Sequence, residues 1–202
     1  MLRQIGEHFE VISNGVFLMD TRHGSSERLL VAAALDAHPA PRDVLIGGLG
    51  VGFSVVAALA DRRVERVTVV EIEQAVVDWH GQHLAAFSGG LLRDRRVEVV
   101  VADLADHLFE SAETYDAVCL DVDNGPDWTV TESNQALYDD AGTRLAVGAL
   151  RGAGVLSVWS ASASASYERR LRRALDDVRT FAVPVRRGEP DVVYAGRRRQ
   201  SR

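Results

Sequence analysis

The chain has 202 residues, 47% of them hydrophobic and 26% charged, enough for one globular domain with a sizeable core and a small appendage. All 23 basic residues are arginine, which excludes a Schiff-base or pyridoxal enzyme and a P-loop, because each needs a lysine ammonium at a fixed place. The formal net charge of −6 argues against a nucleic-acid surface, no apolar run approaches the roughly 20 residues that span a bilayer, and the single cysteine, Cys119, closes no internal disulfide.

The N-terminus MLRQIGEHFE carries acids where a secretory leader would carry a basic patch and an apolar run, so a cytoplasmic protein is expected. FEVIS and GVFLMD read as two short strands around Asn14-Gly15, a pair suited to a hairpin turn. A helix follows from about Ser26 to Ala37, with Ser25 or Ser26 as its cap. The pattern changes near Pro39 and Pro41, which divides the chain into a short hairpin-plus-helix unit, residues 1–40, and a larger unit, residues 41–202.

After Arg42, apolar runs of β type alternate with helical ones. DVLIGG precedes FSVVAALADR, RVTVVEI precedes EQAVVDWHGQHLAAF, RVEVVVAD precedes LADHLFE, YDAVCLDV precedes a segment ending at Leu150, and GVLSVWS precedes SYERRLRRALDDV. Strands that read as continuous apolar runs are covered on both faces, which predicts a doubly wound parallel sheet. TFAVPVRRGEPDVVYAGR differs, since RGEP is too short for a helical crossover and joins an antiparallel pair. Five βα units closed by a terminal hairpin give an α/β fold, the Rossmann-like arrangement of the class I methyltransferases. The arginines at 169, 170, 172 and 173 and the tail RRRQSR read as a solvated helix face and a frayed terminus.

In such a sheet a ligand lies at the carboxyl ends of the strands. The first end is IGGLGVGF, where Gly47, Gly48, Gly50 and Gly52 allow a tight turn and close approach of backbone to ligand. Counted from Gly48, the third glycine of a dinucleotide fingerprint is replaced by Phe53, which counts against NAD or FAD. The second end is Glu71, followed by Ile72; the carboxylate either accepts from both ribose hydroxyls or serves the start of the next helix. The third is Asp103, which either accepts from an adenine amine or caps a short helix. The fourth is DVDNGPDW, where Asp121 and Asp123 can face a cation or accept a proton, and Trp128 stacks on a substrate or covers the core. Cys119 reads as a buried strand thiol, and the scattered histidines supply no metal cluster, so no metal is expected.

Taken together, the glycine loop, VTVVEIEQAVVDW, the strand with Asp103, YDAVCLDVDNGP, the Leu137-Tyr138 segment, GAGVLSVWS and the closing hairpin resemble the spermidine synthase family of aminopropyltransferases. The resemblance implies that decarboxylated S-adenosylmethionine or its thioether product is bound, and that a small N-terminal β domain serves dimer contacts. It places Glu71 at the ribose, Asp103 and Leu104 at the adenine, and Asp121 at the position of the catalytic base. Two departures stand out. The family's GGGDGG is here GGLGVG, so Gly50 replaces the aspartate that faces the aminopropyl ammonium, a charge-assisted bond of roughly 1.5–3 kcal/mol. The DSSDP-type motif is here DVDNGP, and DTRHGSSERLL lacks the glutamine and Tyr-His pair that help hold the polyamine.

These readings lead to an expectation of an S-adenosylmethionine-type transferase that moves a methyl group to a small nucleophile, with Asp121 as proton acceptor and Asp123, Asn124 and Trp128 positioning the acceptor. The alternatives are aminopropyl transfer to a di- or polyamine, and a nucleoside-binding sensor or partner subunit without turnover. No nucleic acid or membrane partner is expected, and a homodimer is implied by the resemblance alone.

Overall fold

Apolar residues run almost unbroken through β4 (Asp43–Gly47), β5 (Arg66–Glu71) and β7 (Tyr115–Leu120), and such strands are stable only with both faces covered. The computed structural model, which describes all residues except 14, 130, 131, 187, 201 and 202, places them at the centre of a seven-stranded sheet. With β6 (Val97–Val101), β8 (Leu150–Ser160), β9 (Leu175–Val183) and β10 (Asp191–Arg198), the order is β6-β5-β4-β7-β8-β10-β9. The first five are parallel, and β10 runs antiparallel to both β8 and β9. The order reverses between β4 and β7, so the topological switch point, where sheets of this kind bind ligands, lies beyond Gly47 and Leu120.

Side chains alternate between two cores. Val44, Ile46, Ala117 and Cys119 point to one side, where α1 (Ser25–Ala37), α2 (Phe53–Ala60) and α3 (Gln74–Gln82) cover them. Leu45, Val118 and Leu120 point to the other, under α4 (Leu104–Glu110), α5 (Asp140–Gly148) and α6 (Ala165–Ala174). This period of two is the strand geometry that the apolar runs encode. Cys119 is fully buried, and that burial pushes its thiol far above the ordinary range, in keeping with an inert core position.

Three details differ from the sequence reading. The N-terminal hairpin, β2 (His8–Ser13) with β3 (Val16–Asp20), gains a third strand, β1 (Leu2–Ile5), which pairs antiparallel with β2. The residue preceding α1 is Gly24, which makes no side-chain cap; the Ser26 side chain turns inward instead. The helix expected through SYERRLRRALDDV stops at Ala174, because Leu175 and Asp176 join the ladder against Arg198 and Arg197, with an irregularity around Asp177 at φ 52°. Of the expected Asn14-Gly15 turn, Asn14 lies outside the described residues.

Candidate functional site

Gly47 ends β4 and the chain turns at once into α2. The turn is held by Gly48, whose N–H donates to the Val70 carbonyl at 2.8 Å and whose φ is 91°. A side chain there would come within 2.2 Å of the Asp121 backbone oxygen, so only glycine lets the loop pass the end of β7. Gly50 (φ 49°) is held from two sides. The Nε2 of His80 donates to its carbonyl at 2.9 Å, while Met19 of β3 lies against its α-carbon. Burial holds the His80 imidazole below its ordinary pKa, and since a carbonyl only accepts, the proton resides on Nε2. Gly52, also left-handed at φ 91°, leads into α2. Phe53 is accommodated by an unexpected partner: its ring fills the space over Gly24, with the Arg28 guanidinium 4.4 Å from the ring centroid.

Glu71, at the end of β5, reaches across this loop. Its Oε2 accepts from the N–H of Leu49 at 3.0 Å and its Oε1 from that of Glu73 at 2.9 Å, so one buried carboxylate ties the glycine turn to the start of α3. Asp103 caps α4 through the Ala105 N–H at 2.7 Å, while the side chain of Leu104 packs over Gly47. Ile72 and Val101, by contrast, are 54% and 45% exposed at the same sheet edge. Apolar side chains open to solvent at a sheet edge that also carries carboxylates can receive a flat ring and hydroxyl donors.

Beyond β7 the carboxylates gather. Oδ2 of Asp121 accepts from the Ser54 hydroxyl at 2.7 Å. Ser26 Oγ lies 2.9 Å from Oε2 of Glu27 and 2.8 Å from Oδ2 of Asp191. Burial, with Glu27 and Asp191 close by, pushes the Asp121 carboxyl up to about 7, and burial also raises Glu27 and Asp191. A carboxyl that titrates near neutrality can exchange protons at working pH.

The remaining predicted residues are placed differently. Asp123, at φ 60°, uses Oδ1 to accept from the Asn124 N–H at 2.9 Å and Oδ2 to accept from the Asn134 amide at 3.0 Å, so it braces the turn. Asn124 is buried, and its Nδ2 finds no partner among the described residues. Trp128 is 57% exposed and does not cover the core. Tyr138 supports the turn from below, its hydroxyl donating to the Val122 carbonyl and its ring meeting Tyr167 edge to face at 5.7 Å.

Glu27, Asp191, Ser54, Met19 and His80 were not singled out by sequence reasoning. Glu27 carried a faint signal, an acid in the first turn of an expected helix; Asp191 carried none, since it approaches α1 only through the antiparallel return of β10. Among the described residues, no group of three or more His, Cys, Asp or Glu is placed to hold a metal, and no helix is long and apolar enough to cross a membrane. Two cavities, of about 390 and 290 Å³, lie away from the strand ends, one beside Val56 and Leu91 and one between α1 and β9.

The chain is 32% identical over 168 residues to polyamine aminopropyltransferase 2 of Pseudomonas aeruginosa, a match covering 78% of this chain and 46% of that protein. It spans less than half the length of the curated relatives it matches. Among solved structures, a spermidine synthase in complex with the transition-state analogue AdoDATO superposes with a TM-score of 0.81 at 19% identity, covering 94% of this chain and 66% of the other. The N-methyltransferase NodS from Bradyrhizobium japonicum superposes with a TM-score of 0.62 at 15% identity, covering 86% and 94%. The fold is thus Rossmann-like and of the methyltransferase type. Residues 24–183 match the family model described as the spermine/spermidine synthase domain, and with that match over most of its length the chain belongs to the spermine/spermidine synthase family.

Proposed function

We propose that the protein transfers an aminopropyl group from decarboxylated S-adenosylmethionine to a di- or polyamine. This replaces the methyl transfer that Gly50 suggested, a reading that finds no support among the curated relatives, which are named as polyamine aminopropyltransferases. The observation that carries the proposal is the grouping of Asp121, Glu27 and Asp191 at one end of the sheet, where Ser54 joins Asp121 to the Glu27 backbone and Ser26 lies between the carboxyls of Glu27 and Asp191. In their ionised form these carboxylates attract an ammonium ion, whose charge relieves their mutual repulsion, and oppose the α-carboxylate of intact S-adenosylmethionine.

In this reading the loop from Gly47 to Gly52 passes beneath the nucleoside. Glu71 holds the ribose while staying bonded to Leu49 and Glu73, and Ile72 with Leu104 and Asp103 receives the adenine. The sulfonium supplies, when bound, a carbon already activated for displacement. Asp121 takes the proton that frees the acceptor's lone pair, and Ser54 keeps its carboxylate oriented while it does so. Asn124 offers a buried amide to the acceptor side, Asp123 keeps the turn in shape, and Trp128 presents an open ring to the acceptor's chain.

The test is a product assay. Purified protein with decarboxylated S-adenosylmethionine and putrescine, cadaverine or spermidine should release 5′-methylthioadenosine, with intact S-adenosylmethionine giving far less. Binding of the nucleoside without release of product for any amine would favour a sensor or partner subunit.

A further inference from the structure

Gly50 leaves its side-chain position empty, but the space is filled. A β-carbon built on Gly50 would lie 2.4 Å from the sulfur and 2.8 Å from the terminal methyl of Met19. Met19 comes from β3, on the other sheet, and reaches the loop through a small apolar cluster in which Val11 meets Val51, Phe53 and Leu84. The thioether therefore covers the loop at Gly50, supplied by an element distant from it in sequence.

We propose that Met19 is a specificity-determining residue: it stands in for the absent side chain of position 50 and keeps this part of the nucleoside pocket uncharged, so the N-terminal sheet shares with the carboxyls beyond β7 in setting the charge preference for the group carried on the ligand's sulfur. The inference rests on the reading that a nucleoside lies over the glycine loop. The groups shown against Gly50 carry no charge: His80, which faces it from behind, donates a neutral N–H, and Met19 belongs to an apolar cluster. Met19 is half-buried and ends in a flexible thioether, so a charged replacement of similar length can direct its end group to the same space.

The experiment measures affinity by calorimetric titration of the whole chain with three probes: 5′-methylthioadenosine, which carries no charged tail, decarboxylated S-adenosylmethionine, and intact S-adenosylmethionine. Met19→Glu should move the ratio of the last two affinities toward the decarboxylated form by about tenfold or more, and Met19→Arg should move it the other way, with 5′-methylthioadenosine affinity changed by less than about threefold in both, the scale set by one charge-assisted contact. Gly50→Asp, whose carboxylate enters the same space from the loop side, should shift the ratio in the same direction as Met19→Glu, and serves if the Met19 variants do not fold. An unchanged ratio in variants that still bind 5′-methylthioadenosine overturns the role of Met19 and leaves the proposed function standing. If the unmodified protein does not bind 5′-methylthioadenosine, the nucleoside reading falls and this inference with it.

Discussion

The hydroxyl of Ser54, in the first turn of α2, donates to Oδ2 of Asp121, at the end of β7, across 2.7 Å. It is the contact that lowers the Asp121 carboxyl against burial and the neighbouring Glu27. Ser54→Ala should therefore raise Asp121 further. The acid limb of the profile of kcat/KM against pH should move to higher pH, and a limb that stays in place would separate Asp121 from the rate-controlling ionisation.

Asp121→Asn keeps the size of the side chain and removes its basicity. Turnover should fall by about 10²- to 10⁴-fold, the usual worth of a positioned base, while affinity for 5′-methylthioadenosine stays within about threefold. Equal losses in both measurements would mean that Asp121 holds the loop rather than the proton.

Stability should also respond to pH through this group. Asp121 is raised in the folded state above its ordinary value, so its contribution is complete below the unfolded pKa and is lost as pH rises through the folded one. Glu27 and Asp191, also raised, act in the same direction. The difference in melting temperature between Asp121→Asn and the unmodified protein should grow in favour of the variant from pH 5 to pH 8, and a constant difference would contradict the raised carboxyl.

Glu71 serves two backbone N–H groups at once. Glu71→Ala leaves both without their acceptor in a buried place, a cost of about 1–3 kcal/mol each, and should destabilise the chain as well as abolish nucleoside binding. Glu71→Gln keeps one acceptor oxygen and should recover much of the stability but little of the affinity. Denaturant unfolding beside calorimetry distinguishes the two effects.

The Tyr138 hydroxyl donates to the Val122 carbonyl beneath the acidic turn. Tyr138→Phe should lower stability by about 1 kcal/mol, or roughly 2–4 °C in melting temperature for a domain of this size. Because the turn loses its prop, KM for the amine should rise more than KM for the nucleoside donor.

The sheet was legible because its physics is local. Val44 to Ile46 and Ala117 to Leu120 are apolar on both sides, a pattern only a doubly covered strand tolerates, and Gly47 to Gly52 marks where backbone turns sharply. β1 was missed because Arg3, Gln4 and Ile5 are exposed and show no alternation; its pairing with β2 is what makes it a strand. The boundary at Leu175 was missed because its spacing serves helix and strand alike, and pairing with β10 decided it. For the site, the strand-end acids Glu71, Asp103 and Asp121 could be read from position along the chain. Ser26 and Asp191, 165 residues apart, meet only because β10 returns antiparallel beside β8, and no local pattern announces that.

The apolar cluster that joins Val11 to Val51, Phe53 and Leu84 has a consequence for how the molecule moves. The N-terminal meander and the glycine turn share one set of buried contacts, so neither can open without exposing the other's apolar face. Occupancy of the turn should then be felt as slower amide exchange in β2 and β3, and trimming the first strands should loosen the nucleoside pocket from a distance, as if the lid and the floor of one vessel had been cast in a single piece.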